Sequence, residues 1–207
     1  MPTPAFHLYL VTGRTQTRGR DLLWISEQAL DAGVKGIQLR EKDLGGKDLF
    51  QVAEKMSRLC QTYGSSLFIN DRIDIALAVD AAGVQLGNAS VDIETARRLL
   101  GSHKMIGVST HSLREALLAE KSGADFVLFG PVYFTPSKAL YGSPQGLKAL
   151  EEIVAKSPLP VYAIGGITPE NIGEVKRAGA FGVALISAIM SATAPRSATI
   201  KLLSAWQ

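Results

Sequence analysis

Residues Asp31–Leu39 read DAGVKGIQL, and the same grammar returns at Lys121–Gly130 (KSGADFVLFG) and Arg177–Ser187 (RAGAFGVALIS). In each phrase an amphipathic stretch ends at a glycine (Gly33, Gly123, Gly179), and an apolar run opens a few residues later. Glycine just past a helix admits the left-handed backbone that closes it. The phrase therefore reads as helix end, tight turn, strand. Gly83, in DAAGVQL, is expected to do the same work.

Outward from these phrases the chain alternates strictly. Short apolar runs lie at His7–Val11, Gly36–Leu39, Ser66–Ile69, Gly83–Leu86, Met105–Val108, Phe126–Phe129, Val161–Ile164 and Gly182–Leu185, eight in all. Continuous apolar runs fit strands covered on both faces, as in a parallel sheet. Between them lie amphipathic stretches at Asp21–Asp31, Lys47–Tyr63, Val91–Leu100 and Ser112–Lys121. Ser112 and Glu115 have capping-box spacing, and Thr168-Pro169-Glu170 reads as an N-cap followed by proline at the first helical position.

Eight βα units, one about every 25 residues, point to a single (β/α)8 barrel over residues 1–207. A doubly wound open sheet is the alternative. Even spacing, and no glycine-rich fingerprint after the first run, favour the barrel. A typical barrel takes about 250 residues, so this one is close to minimal.

Composition narrows the function. Lys and Arg number 22 against 19 Asp and Glu, a net charge of +3, with no basic run. That is too small to argue for a nucleic-acid partner, and aromatics at 7% give little for stacking on bases. The one cysteine, Cys60, leaves no disulfide framework and reads as a small core residue. The N-terminal stretch lacks the basic and apolar regions of a signal peptide, and no apolar run is long enough to span a membrane. The expectation is a cytoplasmic enzyme of small molecules, with a homo-oligomer left open.

Barrel chemistry sits at the C-terminal ends of the strands. The second run ends Gln38-Leu39-Arg40-Glu41-Lys42, and alternation sends Gln38, Arg40 and Lys42 to one side. Two cations and an amide there suit a phosphorylated ligand, while a solvated loop salt-bridged through Glu41 and Asp43 is the competing reading. At the third end, Asn70-Asp71 offers a carboxylate for Mg²⁺ or a cap for the next helix. The fifth end carries Ser109 and His111; a lone histidine beside a helix start is more often structural.

The sixth run opens the longest loop, Gly130 to Gly146, where Thr135, Ser137 and Lys138 form an anion clamp or a polar surface segment. The seventh and eighth ends, Gly165-Gly166 and Ile186-Ser187, offer bare backbone N–H groups of the kind that bind phosphate in barrels. Two candidate anion sites suggest two phosphorylated substrates.

The phrases QLREK (Gln38–Lys42), Asn70-Asp71, GVSTH (Gly107–His111), GPVYFTPSK (Gly130–Lys138), GGIT (Gly165–Thr168) and ISA (Ile186–Ala188) stand in the order seen in one family. Over nearly its whole length the chain resembles the thiamine phosphate synthases and their TenI-like relatives. The resemblance implies a transferase that joins 4-amino-5-hydroxymethyl-2-methylpyrimidine diphosphate to 4-methyl-5-(2-phosphoethyl)thiazole with Mg²⁺, releasing pyrophosphate.

By motif position it implies that Arg40, Lys42, Asn70 and Lys138 hold the diphosphate, that Gln38 contacts the pyrimidine with Ser109 alongside, and that Asp71 binds Mg²⁺. Thr135, Ser137, Gly165, Gly166, Ile186 and Ser187 would surround the thiazole phosphate. Arg40, Lys42, Ser109 and Lys138 would carry catalysis. The chain departs from the synthases at Gly87-Asn88-Ala89-Ser90, where Ser90 replaces a second acidic Mg²⁺ ligand. A TenI-like thiazole phosphate binder or tautomerase relative is the alternative; the tautomerase histidine position is occupied by Pro131.

Overall fold

The computed structural model describes residues 3–136 and 143–207. Eight strands, β1 (Leu8–Val11), β2 (Gly36–Leu39), β3 (Ser66–Asn70), β4 (Gly83–Leu86), β5 (Met105–Thr110), β6 (Phe126–Phe129), β7 (Val161–Ile164) and β8 (Gly182–Leu185), close in sequence order into one parallel barrel. The last pairing joins β8 to β1, with Tyr9 opposite Ala184. The expected (β/α)8 architecture is the one observed.

The helices are α1 (Leu22–Asp31), α2 (Gly46–Thr62), α3 (Ile73–Ala78), α4 (Ile93–Leu100), α5 (Leu113–Lys121), α6 (Gly146–Lys156), α7 (Ile172–Arg177), α8 (Ser187–Met190) and α9 (Pro195–Trp206). They lie outside the strands, and the large core fills the space between, with Ile25, Ile37, Met56, Cys60, Ile106 and Val183 all buried. Burial pushes the Cys60 thiol up to about 12, so it packs as an inert apolar group. Ser112 caps α5 by accepting from the Glu115 N–H, and Glu115 reaches back to the His111 N–H.

Gly33, Gly123 and Gly179 take positive φ at helix ends, as the repeated phrase requires. Gly83 does not. It opens β4, where an added Cβ would come within 2.0 Å of the Met105 carbonyl oxygen; Asp80, at φ 49°, makes the turn instead. The cap expected at Thr168 is also corrected. Residues 168–171 form a turn, held by the Asn171 side chain accepting from the Thr168 N–H, and α7 begins only at Ile172.

Inside the barrel, alternation turns Tyr9, Phe68, Phe126 and Tyr162 inward. Their rings meet edge-on or tilted at 5.4–6.0 Å between centroids, a favourable arrangement for aromatic quadrupoles. Phe6 closes the lower end against Tyr9, Phe68 and Tyr162. Glycines facing inward make room for these rings: a Cβ on Gly36 would lie 2.5 Å from Phe6 and one on Gly107 2.4 Å from Phe126. The lower rim is braced by Arg97, whose guanidinium donates to the buried Asp125 carboxylate at 2.5 Å and to the carbonyls of Gly101, Lys104 and Gly123.

Candidate active site

Above the aromatic layer the strand ends open into a polar mouth, and its rim is built by side chains that tie neighbouring loops together. At the β1–β2 corner, Glu41 is only 5% exposed. Its carboxylate accepts from the Thr12 hydroxyl at 2.6 Å and from the Arg14 N–H at 2.8 Å. The same Thr12 oxygen accepts from the Arg40 N–H at 2.9 Å. The reading of a solvated loop salt-bridged through Glu41 is therefore overturned. Glu41 is buried on neutral donors, and Asp43 pairs with Arg14 rather than with Arg40 or Lys42. Among the described residues neither Arg40 nor Lys42 has an acidic partner. Two cations left without counter-charge on one rim are suited to holding an anion.

At the next corner Asp71 takes left-handed backbone, φ 61°, which costs a non-glycine residue about 1–2 kcal/mol. Asn70 donates its amide to one Asp71 carboxylate oxygen at 2.6 Å. Ser90 donates its hydroxyl to the other. The Gly87 N–H in turn donates to Ser90 Oγ at 2.7 Å. Neither Asn70 nor Asp71 caps α3, whose N-cap is Arg72 without a side-chain bond, so the capping reading fails. What stands at this corner is one carboxylate and one hydroxyl, an all-oxygen set. Among the described residues no group of three His, Cys, Asp or Glu side chains converges as a metal cage.

Gln38 and Gln85, both 2% exposed, point inward from β2 and β4. Gln85 Nε2 donates to Ser109 Oγ at 3.3 Å. Gln85 Oε1, Gln38 Nε2 and the Tyr9 hydroxyl meet no hydrogen-bond partner; Gln38 lies against the Tyr9 hydroxyl without completing a bond. Buried polar atoms are nearly always paired; the exceptions among the described residues are this cluster and Asp125 Oδ1 at the lower rim.

The far side of the mouth is formed by the loops after β6, β7 and β8. Val132 N–H donates to the Ile164 carbonyl at 2.9 Å and Tyr133 N–H to the Gly165 carbonyl at 3.0 Å. The Tyr133 hydroxyl reaches Glu174 on α7 at 2.8 Å. Gly165 and Gly166 take φ of 100° and 67°, and a Cβ on them would lie 2.6 Å from Pro131 and 2.5 Å from the Phe134 carbonyl oxygen. Gly166, Ser187 and Ala188 keep backbone N–H groups that meet no backbone carbonyl among the described residues. Thr135 is half-buried at this side; the expected Ser137 and Lys138 lie outside the described residues.

His111 Nδ1 lies 2.6 Å from the Gly130 carbonyl. A carbonyl only accepts, so Nδ1 carries the proton and His111 props the loop, a structural role. Arg20 was not singled out by the sequence. Its guanidinium donates to the carbonyls of Met190, Ala192 and Thr193 and so fixes α8, which carries Ser187. The places of Glu41 and Gln85 at the mouth were also not read from the sequence. For Glu41 the signal is one of position, inside the QLREK phrase; Gln85 lies within the Gly83–Leu86 apolar run and gives none.

A sequence profile described as thiamine monophosphate synthase matches residues 8–189. A putative thiamine-phosphate synthase of Geobacter sulfurreducens is 51% identical over 96% of this chain and 93% of its own. The thiamine-phosphate synthase of Clostridium novyi is 43% identical over 89% and 91%. Among solved structures, thiamine phosphate pyrophosphorylase from Pyrococcus furiosus superposes with a TM-score of 0.88 at 38% identity, covering 97% of this chain and 95% of that one.

Proposed function

Because the chain belongs to the thiamine monophosphate synthase family, we propose that its barrel mouth is a transferase site. It joins an aminopyrimidine methyl diphosphate to a thiazole ethyl phosphate, giving thiamine phosphate and pyrophosphate. The observation that carries this reading is the rim itself: cations without counter-charge at Arg40 and Lys42, and an N–H cradle at Gly166, Ser187 and Ala188. One anion site serves the diphosphate and the other the thiazole phosphate.

The reaction breaks the bond between the pyrimidine methylene carbon and the diphosphate oxygen, whose electron pair leaves with pyrophosphate. The thiazole nitrogen lone pair then forms the new carbon–nitrogen bond. No proton needs to move between side chains, and among the described residues of the mouth no acid and base are paired for such a transfer. Catalysis then rests on charge stabilisation and positioning. Arg40, Lys42, Asn70 and Lys138 hold the departing diphosphate. Gln38 and Ser109 orient the pyrimidine. Thr135, Ser137, Gly165, Gly166, Ile186 and Ser187 seat the thiazole phosphate.

Asp71 and Ser90 fit a hard cation that keeps several waters and completes its shell with phosphate oxygens. Mg²⁺ bound there would neutralise charge on the leaving diphosphate. A second reading, a TenI-like protein that binds thiazole phosphate without condensing it, is favoured by one observation: the partner of Asp71 is the uncharged Ser90. A cytoplasmic location belongs to this proposal, supported by the single, buried and unpaired Cys60.

The test is to incubate the purified protein with both substrates and Mg²⁺. Formation of thiamine phosphate with stoichiometric pyrophosphate is the expected result. Binding of thiazole phosphate with no product would overturn the synthase reading in favour of the second.

A further inference from the structure

Resting on the reading above, we propose that Arg20 is a positioning residue, which holds the turn after β8 in the shape that seats the thiazole phosphate. That turn has little support of its own. α8 spans only Ser187–Met190, and a helix of one turn does not persist unaided in water. Ile189 and Met190 pin its underside in the core, both fully buried. Its carbonyl end is held from outside. Arg20 Nη1 donates to the Ala192 carbonyl at 2.7 Å and to the Thr193 carbonyl at 3.3 Å, and Nη2 donates to the Met190 carbonyl at 3.1 Å. A cation on the last carbonyls of a helix stabilises it and leaves the N–H groups at its other end free to meet an anion.

The clamp belongs to the loop after β1. Arg20 Nε donates to the Thr17 carbonyl at 3.0 Å, which fixes the fork on its own loop. Arg18 and Gly19, at φ 55° and 78°, turn the chain back to place it there. Two further contacts join the same loop to the same turn. Ser191 Oγ donates to the Gln16 carbonyl at 2.9 Å, and a Cβ on Gly13 would lie 3.3 Å from Ile186 Cγ2. The start of the loop is anchored separately, by Thr12 and Arg14 on Glu41. Loss of Arg20 therefore loosens the β8 side and leaves the Arg40 side in place. Among the described residues Arg20 has no acidic partner, so its fork serves carbonyls alone. Carbonyls in several directions need the planar guanidinium; a lysine ammonium keeps the charge without spanning them. A seat made of backbone N–H groups has no side chain to readjust, so a shift of its turn passes directly into affinity.

Calorimetry with the thiazole ethyl phosphate and, separately, with inorganic pyrophosphate tests this role in the wild type, Arg20→Ala and Arg20→Lys. In Arg20→Ala the thiazole phosphate affinity is expected to fall at least about tenfold, with pyrophosphate affinity within about twofold of the wild type. Arg20→Lys is expected to recover part of that loss, to within about threefold of the wild type. In the condensation assay Arg20→Ala should raise KM for the thiazole phosphate, with kcat and KM for the pyrimidine diphosphate held within about twofold. A general loosening of the fold would move all three. If Arg20→Ala does not fold, Ser191→Ala, which removes only the tether to Gln16, takes its place, with an expected loss of about threefold confined to the thiazole phosphate. Unchanged thiazole phosphate affinity in folded Arg20→Ala, or in Ser191→Ala where it stands in, overturns the proposal, and so does an equal loss of both ligands. A wild type that binds the thiazole phosphate and forms no thiamine phosphate sinks the synthase reading alone; selective loss in the Arg20 variants then still supports the positioning role.

Discussion

Ser90 donates its hydroxyl hydrogen to the carboxylate of Asp71, and the Gly87 N–H locks Ser90 in that pose. A neutral donor thus sits where a second charge would strengthen a divalent cation site. Ser90→Asp is expected to lower the Mg²⁺ concentration needed for half-maximal binding by about tenfold, read by calorimetry in the presence of pyrophosphate. Asp71→Asn is expected to cut turnover by at least about a hundredfold while the melting temperature moves by only a few degrees. Unchanged turnover would remove Asp71 from the site.

Glu41 offers a different kind of test, because it is buried and reaches Arg40 only through Thr12. Glu41→Ala strands the Thr12 hydroxyl, whose oxygen accepts from the Arg40 N–H, and the Arg14 N–H. We expect a loss of about 2–3 kcal/mol in unfolding free energy and a weaker affinity for pyrophosphate. Glu41→Gln keeps one acceptor oxygen and should restore about half of each. Denaturant titration and calorimetry measure the two effects; pyrophosphate affinity untouched in Glu41→Ala would separate the corner from the anion site.

At the opposite side Gly166→Ala puts a methyl group 2.5 Å from the Phe134 carbonyl oxygen at a residue with φ 67°. The backbone must shift to relieve the contact, at a cost of about 1–3 kcal/mol. The N–H of residue 166 moves with it. Thiazole phosphate affinity should fall at least tenfold, with pyrophosphate affinity retained, in a competition assay that follows each ligand separately.

Alkaline stability follows from the barrel interior. Burial raises the phenols of Tyr9 and Tyr162 well above the usual value of 10.0. Above pH 10 the unfolded chain therefore releases these protons and the folded chain does not. Stability is complete below pH 10 and falls as pH rises, by about 1.4 kcal/mol per pH unit for each tyrosine. Tyr9→Phe should remove one such increment from the slope between pH 10 and 11.5. It should also leave the protein at least as stable at pH 7, since the Tyr9 hydroxyl has no partner to lose. Thermal melts across that pH range check both.

The βα grammar was legible because it depends on short-range physics. A helix that stops at Gly33 and a strand that starts at Gly36 leave a local signature, and Gln38 and Arg40 share a side by alternation alone. What escaped the sequence depends on pairs far apart in the chain. Glu41 between Arg40 and Lys42 looks like a surface charge, and only the return of Thr12 and Arg14 from the β1 loop buries it. Ser90 looks like a missing ligand until Asp71 is seen to accept from it. Arg20 is an ordinary cation until residues 190–193 bring their carbonyls to it. Thr168-Pro169 carries a strong local cap signal, but the side chain of Asn171 spends itself on the Thr168 N–H and the Gly166 carbonyl, and the helix starts later.

Phe6, lodged under Tyr9, Phe68 and Tyr162, makes the barrel a blind well with a single portal. Reactants and products must pass the same opening, and occupancy becomes a matter of depth. Phe6 is thus the plug at the strand starts, and whatever the barrel binds is expected to come and go at the strand ends, past Arg40 and Lys42.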